Sequence, residues 1–164
     1  MRKDLLIILA GILALSLNAQ VVTAPWVESF SGVSMGTPNF NAGATIPLGW
    51  TRTPTPGGTN PGNSTYAWGG GVGPTHTRAA GGATGPAADH TTGTGGYLYV
   101  ESSGGQGNAV ANLYSPGIST VGLTAPELIF FRHQYGATMG NFQVYIRPYT
   151  AAGTGTWVLL YTSG

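Results

Sequence analysis

The stretch TGPAADHTTGTGGYLYVE, residues 84–101, decides how this chain folds. Its Gly85-Pro86 pair ends any preceding element, because proline fixes φ and glycine tolerates positive φ. Asp89 is followed by hydroxyl residues that can bond its side chain or the local backbone. After a glycine-rich reversal, the run Tyr97-Leu98-Tyr99-Val100 has the aromatic and β-branched side chains that favour a strand. The stretch therefore predicts a tight turn that leads into a sheet.

The first residues have the pattern of a secretory signal peptide. Arg2 and Lys3 precede an apolar run over residues 5–17, and Ala19 is the small residue before a cleavage site. The run is too short to span a membrane comfortably. We expect residues 1–19 to be the signal peptide and residues 20–164 to form the mature domain, with no membrane span.

The composition of the mature part indicates a folded all-β domain. After residue 19, four arginines balance four acids and no lysine remains, so the basic stripe of a nucleic-acid binder is absent. The whole chain has 28 glycines and 11 prolines, but also four tryptophans, eight tyrosines and five phenylalanines. These rings supply core material that disordered chains lack. Many turns with aromatic strands predict a β-sandwich, and the absence of cysteine predicts a single core held by packing alone.

Aromatic and alternating runs predict the other strands. They lie at residues 26–30, 49–52, 109–114, 127–135, 142–146 and 156–161. Residues 127–135 are apolar on both faces at first, which predicts a mid-sheet strand with both sides partly covered. In residues 142–146 the alternation predicts that Phe142, Val144 and Ile146 face inward. Residues 35–48, 53–65 and 69–73 are expected to be loops.

Three motifs in this order resemble the MAM domain, an extracellular module named after meprin, neuropilin and the mu-type receptor tyrosine phosphatase. The first is GP-x-x-DHT-x-x-x-GGYLYVE, which begins at Gly85. The second is ANLYSP at residues 111–116, and the third is LIFFRHQYG at residues 128–136, followed by Met139-Gly140. The resemblance runs from about Trp26 to the end of the chain, and it rests on the order of the motifs more than on any one of them.

The resemblance implies a jelly-roll-like (concanavalin-like) sandwich of two antiparallel sheets. It implies a non-catalytic adhesion or recognition module of a secreted or cell-surface protein, with an extracellular protein or glycan as its partner. Animal members usually have disulfides, so this cysteine-free chain is more similar to bacterial copies. The family has further strands, so the chain resembles a copy truncated at its C-terminus. We therefore expect an incomplete sandwich with an exposed sheet edge.

Asp89 is the acid within the turn of the first motif, together with Gly85, Pro86, His90 and Thr91. Either Thr91, Thr92 and backbone N–H groups satisfy its carboxylate and lock the turn, or the carboxylate belongs to a cation site. Some members of the family bind such an ion. Here Asp89, Glu28 and backbone carbonyls would surround calcium or sodium. Calcium takes six to eight oxygens, and a mature chain with four acids would bind it weakly.

No catalytic pattern is present, so we expect neither an enzyme nor a bound cofactor. The three histidines, His76, His90 and His133, fit no metal spacing. There is no Gly-x-Ser-x-Gly elbow, and Glu101 and Glu127 lack the surroundings of a glycosidase pair. Two alternatives stay open. They are a carbohydrate-binding module and an accessory domain of a secreted peptidase or glycosidase whose catalytic part lies outside this chain. Outward tyrosines would contact such partners, unless they form ordinary cross-strand pairs; they are Tyr99, Tyr145 and Tyr149.

Overall fold

The computed structural model describes residues 20–33, 45–53, 67–72, 85–100, 110–136, 140–148 and 155–163. This part of the chain contains strands and no helix, so the all-β prediction is confirmed. The strands are β1 Val21–Thr23, β2 Thr51–Thr53, β3 Gly69–Val72, β4 Gly96–Tyr99, β5 Asn112–Tyr114, β6 Gly117–Ser119, β7 Gln143–Ile146 and β8 Val158–Thr162. The predicted signal peptide and most of the loops predicted at residues 35–48 and 53–65 lie outside the described residues.

The strands pair two by two within the described ranges. Three pairs are antiparallel, β2 with β5, β3 with β4 and β7 with β8, whereas β1 runs parallel to β6. The β1 ladder extends to Ala24, whose N–H donates to the carbonyl of Ser119 at 3.0 Å. Pro25 follows and has no N–H to continue it. The described strands form four separate pairs and not two larger sheets. The jelly-roll order of strands therefore stays a prediction.

The prediction of a loop at residues 69–73 is wrong, because β3 occupies Gly69–Val72 and pairs with β4. Its three glycines are buried. A Cβ on Gly71 would lie 2.9 Å from Cε2 of Tyr97 and 3.1 Å from Cδ1 of Tyr99. Glycine is needed here so that two tyrosine rings can lie against the backbone. Strand propensity alone disfavours glycine, which is why the sequence indicated a loop.

The predicted first strand at residues 26–30 is also wrong, since the N-terminal strand is β1 and residues 26–30 belong to no ladder. Their rings nevertheless pack as core material. The Trp50 ring lies 6.2 Å from that of Trp26 and 5.3 Å from that of Phe30, measured between centroids. The rings of this segment therefore pack on Trp50 although the segment pairs with no strand, because rings can pack from an irregular segment.

Residues 127–135 are not the covered mid-sheet strand that their composition predicts. They belong to no strand, and Leu128 is 59%, Ile129 75% and Phe131 62% exposed. The predicted alternation of faces does hold. Phe130 and Arg132 both lie against the ring of Tyr161, whereas Phe131 lies against His90 on the other side.

The β7–β8 hairpin contains a bulge that changes which side chains face inward. Val144 pairs with Tyr161 and Tyr145 pairs with Leu159, so Leu160 is the additional residue on β8. Beyond the bulge, Ile146 is 53% exposed, which contradicts its predicted inward position. Arg147 is half-buried instead, with its guanidinium 4.4 Å from the centroid of the Trp157 ring. A bulge shifts the alternation locally, and period-two patterns do not reveal it.

The expected single core is replaced, within the described ranges, by separate groups of rings, some half-buried and some exposed. Val33 and Ala67 are the buried apolar residues there, at 6% and 1% exposure. The N-terminal cluster consists of Trp26, Phe30 and Trp50; the C-terminal cluster consists of Trp68, Phe130, Phe142 and Tyr161; a third group joins Tyr114, Trp157 and Arg147. The chain has no cysteine, and its ring packing is divided among these groups.

The first residue of β4 gives a test of this packing. A Cβ on Gly96 would contact Cγ2 of Val33 and come within 2.8 Å of the carbonyl oxygen of Phe30. We expect Gly96→Ala to lower the free energy of unfolding by about 1–3 kcal/mol, as overpacking does. Gly32→Ala is the control, because nothing lies within 4 Å of its Cβ position. Urea unfolding followed by tryptophan fluorescence measures both; equal stability of the two variants would contradict the packing described.

Candidate functional site

The Asp89 carboxylate organises the turn before β4. Its Oδ2 accepts from the N–H of Thr92 at 2.8 Å, and its Oδ1 accepts from the Thr92 hydroxyl at 2.7 Å. Oδ1 also accepts from the N–H groups of Thr94 and Gly95, at 3.1 and 2.7 Å. Thr91, which the sequence suggested as a further donor, does not bond it in the structure. Asp89 is 9% exposed, and its carboxylate holds residues 89–95 as one unit.

These bonds change the acidity of the group. Hydrogen bonds to the ionised form, first from the Thr92 hydroxyl and then from the N–H groups of Thr92, Gly95 and Thr94, lower the pKa of Asp89 to about 2. Burial by itself would raise this pKa, but the hydrogen bonds outweigh that effect. A carboxylate with several donors stays charged because protonation would break those bonds. Asp89 is therefore an ionised anchor across the pH range in which the protein would work.

His90 connects this turn to the exposed apolar segment. Its imidazole stacks on the Phe131 ring with centroids 3.4 Å apart and planes 10° apart. Both residues are exposed. The two neighbouring residues of the motif thus have different structural roles. Asp89 fixes the turn, and His90 holds the middle of residues 127–135 in place.

Residues 126–136, which we call the open segment, belong to none of the strand pairs that the structure describes. No backbone hydrogen bond joins this segment to any part of the chain that the structure describes. One bond between its own side chains is present, from the Arg132 guanidinium to Oε1 of Gln134. Successive side chains alternate between two sides, as they do in an extended chain. N–H and C=O groups that have no partner within the described ranges, on such an apolar segment, resemble those of a sheet edge.

The C-terminal cluster supports the other side of the open segment. Phe130 lies 5.7 Å from Phe142 and 5.8 Å from Tyr161, measured between ring centroids. The Arg132 guanidinium lies 5.2 Å from the Tyr161 ring. Trp68 packs on Phe142 at 6.4 Å, and its indole N–H donates to the carbonyl of Ala111 at 3.0 Å. The open segment is thus positioned by rings and has its remaining surface exposed.

The proposed cation ligands are each already bonded within the protein. Oε1 of Glu28 accepts from the N–H of Phe30 at 2.9 Å, in a turn where Phe30 has a φ of 54°. Asp89 accepts the four bonds described above. Among the described residues, no group of three His, Asp or Glu side chains is close enough to hold a metal. Calcium or sodium at Asp89 and Glu28 stays a prediction, which would need backbone carbonyls to supply most ligands.

The tyrosines suggested for partner contacts differ in their surroundings. Tyr145 is 47% exposed, and its hydroxyl donates to Oε1 of Gln143 at 3.2 Å. Tyr99 is half-buried beside Gly71, so its role is packing. Tyr149, His76 and Glu101 lie outside the described residues. Of this set, Tyr145 is the described residue that presents a ring outward.

Comparison with known proteins finds similarity over part of the chain. A stretch of 81 residues, 49% of the chain, is 35% identical to Neuropilin-1a of Danio rerio and spans 9% of that protein. A stretch of 65 residues, 39% of the chain, is 42% identical to MAM domain-containing protein 2 of Mus musculus and also spans 9% of that protein. Most of either relative therefore lies outside the similarity. No family model matches the chain, and no solved structure does.

A search for membrane-spanning helices in the described residues finds no helix with the length and hydrophobicity to cross a bilayer.

The anchored carboxylate predicts a pH dependence of stability. The folded pKa of Asp89, about 2, is below the ordinary value of 3.8. The charged form therefore stabilises the fold above pH 3.8, and this contribution is lost as the pH falls towards about 2. We expect Asp89→Asn to melt at a lower temperature than the wild type at neutral pH, and the difference to shrink across that window. Thr92→Val should have an intermediate effect. A difference that is constant with pH would contradict the assignment.

A cation site at Asp89 and Glu28 is tested by calcium titration. If the site exists, millimolar calcium raises the melting temperature of the wild type, because the ion binds only the folded state. The variants Asp89→Asn and Glu28→Gln should each remove that increase, while Glu127→Gln, which changes an acid elsewhere, should retain it. An unchanged melting temperature for the wild type at millimolar calcium would show that the cation prediction is wrong.

Proposed function

We propose that this chain is a MAM-like, non-catalytic recognition module of a secreted or cell-surface protein, which binds another extracellular protein. The observation that carries the proposal is the exposed apolar open segment. Leu128, Ile129 and Phe131 expose more than half of their surface there, although they are among the most apolar residues of the chain. Contiguous apolar surface of this kind is typical of protein–protein contact sites.

The surroundings of the open segment support a binding role. Its backbone is held from two sides, by the His90–Phe131 stack and by the contacts of Phe130 and Arg132 with Tyr161. A site held in place loses less conformational entropy on binding than a free loop does. Exposed residues of β8 extend the apolar surface from Tyr161; they are Val158, Leu159 and Leu160. Aromatic residues at such positions contribute much of the energy in protein interfaces.

The extracellular location is supported by two independent features. The N-terminal residues have the pattern of a signal peptide. The similarity to Neuropilin-1a and to MAM domain-containing protein 2 agrees with the three motifs, which resemble an extracellular module. An extracellular protein is accordingly the partner that we propose first.

A glycan is the second candidate partner, and Tyr145 favours it. The ring is exposed, and the Gln143 amide beside it can bond sugar hydroxyls, which is how stacking aromatics and amides recognise carbohydrates. Trp157 is less suited to that role, because Arg147 lies over its ring and Tyr114 lies 6.0 Å away. Loss of glycan-array binding in Tyr145→Ala would favour this candidate.

The proposal is tested by a charge placed on the open segment. We expect Ile129→Asp to weaken binding of the mature chain to cell surfaces by about tenfold or more, because a partner would have to bury the new carboxylate. Val121→Asp is the matched control, since Val121 is 90% exposed in a turn that is not part of the segment. Flow cytometry with fluorescently labelled protein measures both. Equal binding of the two variants would contradict a contact at the open segment.

A further inference from the structure

We propose that the β7–β8 hairpin binds an acidic oligosaccharide, one whose sugars carry carboxylates, on the side opposite to Tyr161. This deepens the glycan candidate of the proposed function and rests on it, but it uses a surface separate from the open segment. We call this surface the outer face. It consists of six side chains that share one side of the hairpin: Gln143, Tyr145, Arg147, Trp157, Leu159 and Thr162.

The register of the hairpin brings four of these side chains together. Gln143 pairs with Thr162, and Tyr145 pairs with Leu159. Directly opposite residues of an antiparallel pair point to the same face, and so do residues two apart along a strand. The bond from the Tyr145 hydroxyl to Oε1 of Gln143, 3.2 Å long, agrees with this arrangement. The intervening residue pair points to the opposite side, where Tyr161 contacts the open segment.

Arg147 and Trp157 continue the outer face beyond the paired strands. Arg147 follows Tyr145 by two residues, and its guanidinium lies 4.4 Å from the centroid of the Trp157 ring. The Tyr114 ring packs beside Trp157, with centroids 6.0 Å apart. At a rise of about 3.4 Å per residue, the outer face extends about 14 Å from Gln143 to Arg147, a length that a short oligosaccharide can follow.

The outer face combines an exposed ring with hydrogen-bonding groups, as a sugar site requires. Tyr145 is 47% exposed, so its ring can stack on the apolar C–H groups of a sugar. The Gln143 amide and the Thr162 hydroxyl are both exposed, and they supply donors and acceptors for sugar hydroxyls. Leu159 is the one aliphatic side chain of the six. The outer face therefore differs in chemistry from the apolar open segment.

The charge of the outer face selects an acidic sugar. Arg147 is the one charged group among its six side chains. A guanidinium presents five N–H donors in a planar fork that matches a carboxylate. The contact with the Trp157 ring holds this fork in position, so less conformational entropy is lost when a carboxylate binds. A sugar that stacks on Tyr145 can thus present a carboxylate to Arg147 on the same side of the strand.

The test measures binding of uronic acid oligosaccharides to the complete chain by isothermal titration calorimetry. The probes are a galacturonic acid trimer and a hyaluronan tetrasaccharide. The methyl-esterified trimer is the matched ligand, because it keeps the sugar rings and lacks the charge. We expect the acidic trimer to bind about tenfold or more tightly than its ester, since hydrogen bonds between charged partners are the stronger ones. Added salt should reduce this preference.

Variants separate stacking from charge recognition. Tyr145→Ala should weaken binding of both trimers about tenfold, because both stack on the same ring. Arg147→Lys keeps the charge without the fork, and Arg147→Gln removes both, so the preference for the acid should decrease in the first and disappear in the second. Val121→Asp is the control, because it changes the net charge as Arg147→Gln does, at a 90% exposed position in a turn. Circular dichroism checks that each variant is folded.

Four results would overturn the inference. They are no binding of either uronic acid probe at millimolar concentration, equal affinity for the acidic trimer and its ester, a preference that is unchanged in Arg147→Lys and Arg147→Gln, and equally tight binding of a glutamate tripeptide. The last result would indicate an acidic peptide as the partner.

Failure of the proposed function is distinguished from failure of this inference by separate measurements. Equal affinity for the two trimers, lost in Tyr145→Ala, would reject the acidic sugar and retain the glycan candidate. Cell-surface binding that is lost in Ile129→Asp but not in Val121→Asp, without binding of any oligosaccharide, would reject the outer face as a site and retain protein recognition at the open segment.

Discussion

The Asp89 carboxylate and its four hydrogen bonds are the constraint on which the described structure depends. They close the turn that delivers β4 to β3, and β4 begins with Gly96 against Val33 and Phe30. The same turn presents His90 to Phe131. One ionised side chain therefore sets the relation between the N-terminal residues, a central strand pair and the open segment. All four hydrogen bonds come from donors within the turn, at Thr92, Thr94 and Gly95, so the motif around Asp89 supplies the partners of its carboxylate.

The sequence predicted the elements that depend on local chemistry. The strands at β4, β7 and β8 follow from aromatic and branched side chains, and the turn at Asp89 follows from short polar residues and glycines. The packing of Trp50 and the two-faced character of residues 127–135 were also predictable, because both depend on which side chains are apolar. For the candidate site, the sequence identified Asp89 and His90 but assigned neither the donors at Thr94 and Gly95 nor the stack on Phe131.

Features that depend on distant neighbours could not be predicted. A strand of three glycines forms at β3 because tyrosine rings from β4 need that space, and nothing within Gly69–Val72 indicates it. The bulge at Leu160 arises from how two strands fit, so the exposure of Ile146 did not follow from alternation. Residues 127–135 have the composition of a strand that is buried on both faces. Whether such a strand is buried depends on which other elements pack against it. Their exposure is thus the observation from which a binding role can be argued.

The parallel pair of β1 and β6 has a consequence for the order in which the molecule assembles. Val21 pairs with Gly117, about a hundred residues away, and closing so large a loop has a high entropic cost. The β7–β8 hairpin closes over a much shorter distance in sequence, and such local contacts form early. We therefore expect the N-terminal strand to dock last, onto a scaffold that is already formed. Since three residue pairs and one flanking bond at each end, at Gln20 and at Ala24, join it to β6, it should also be among the first elements to detach when the protein is stressed.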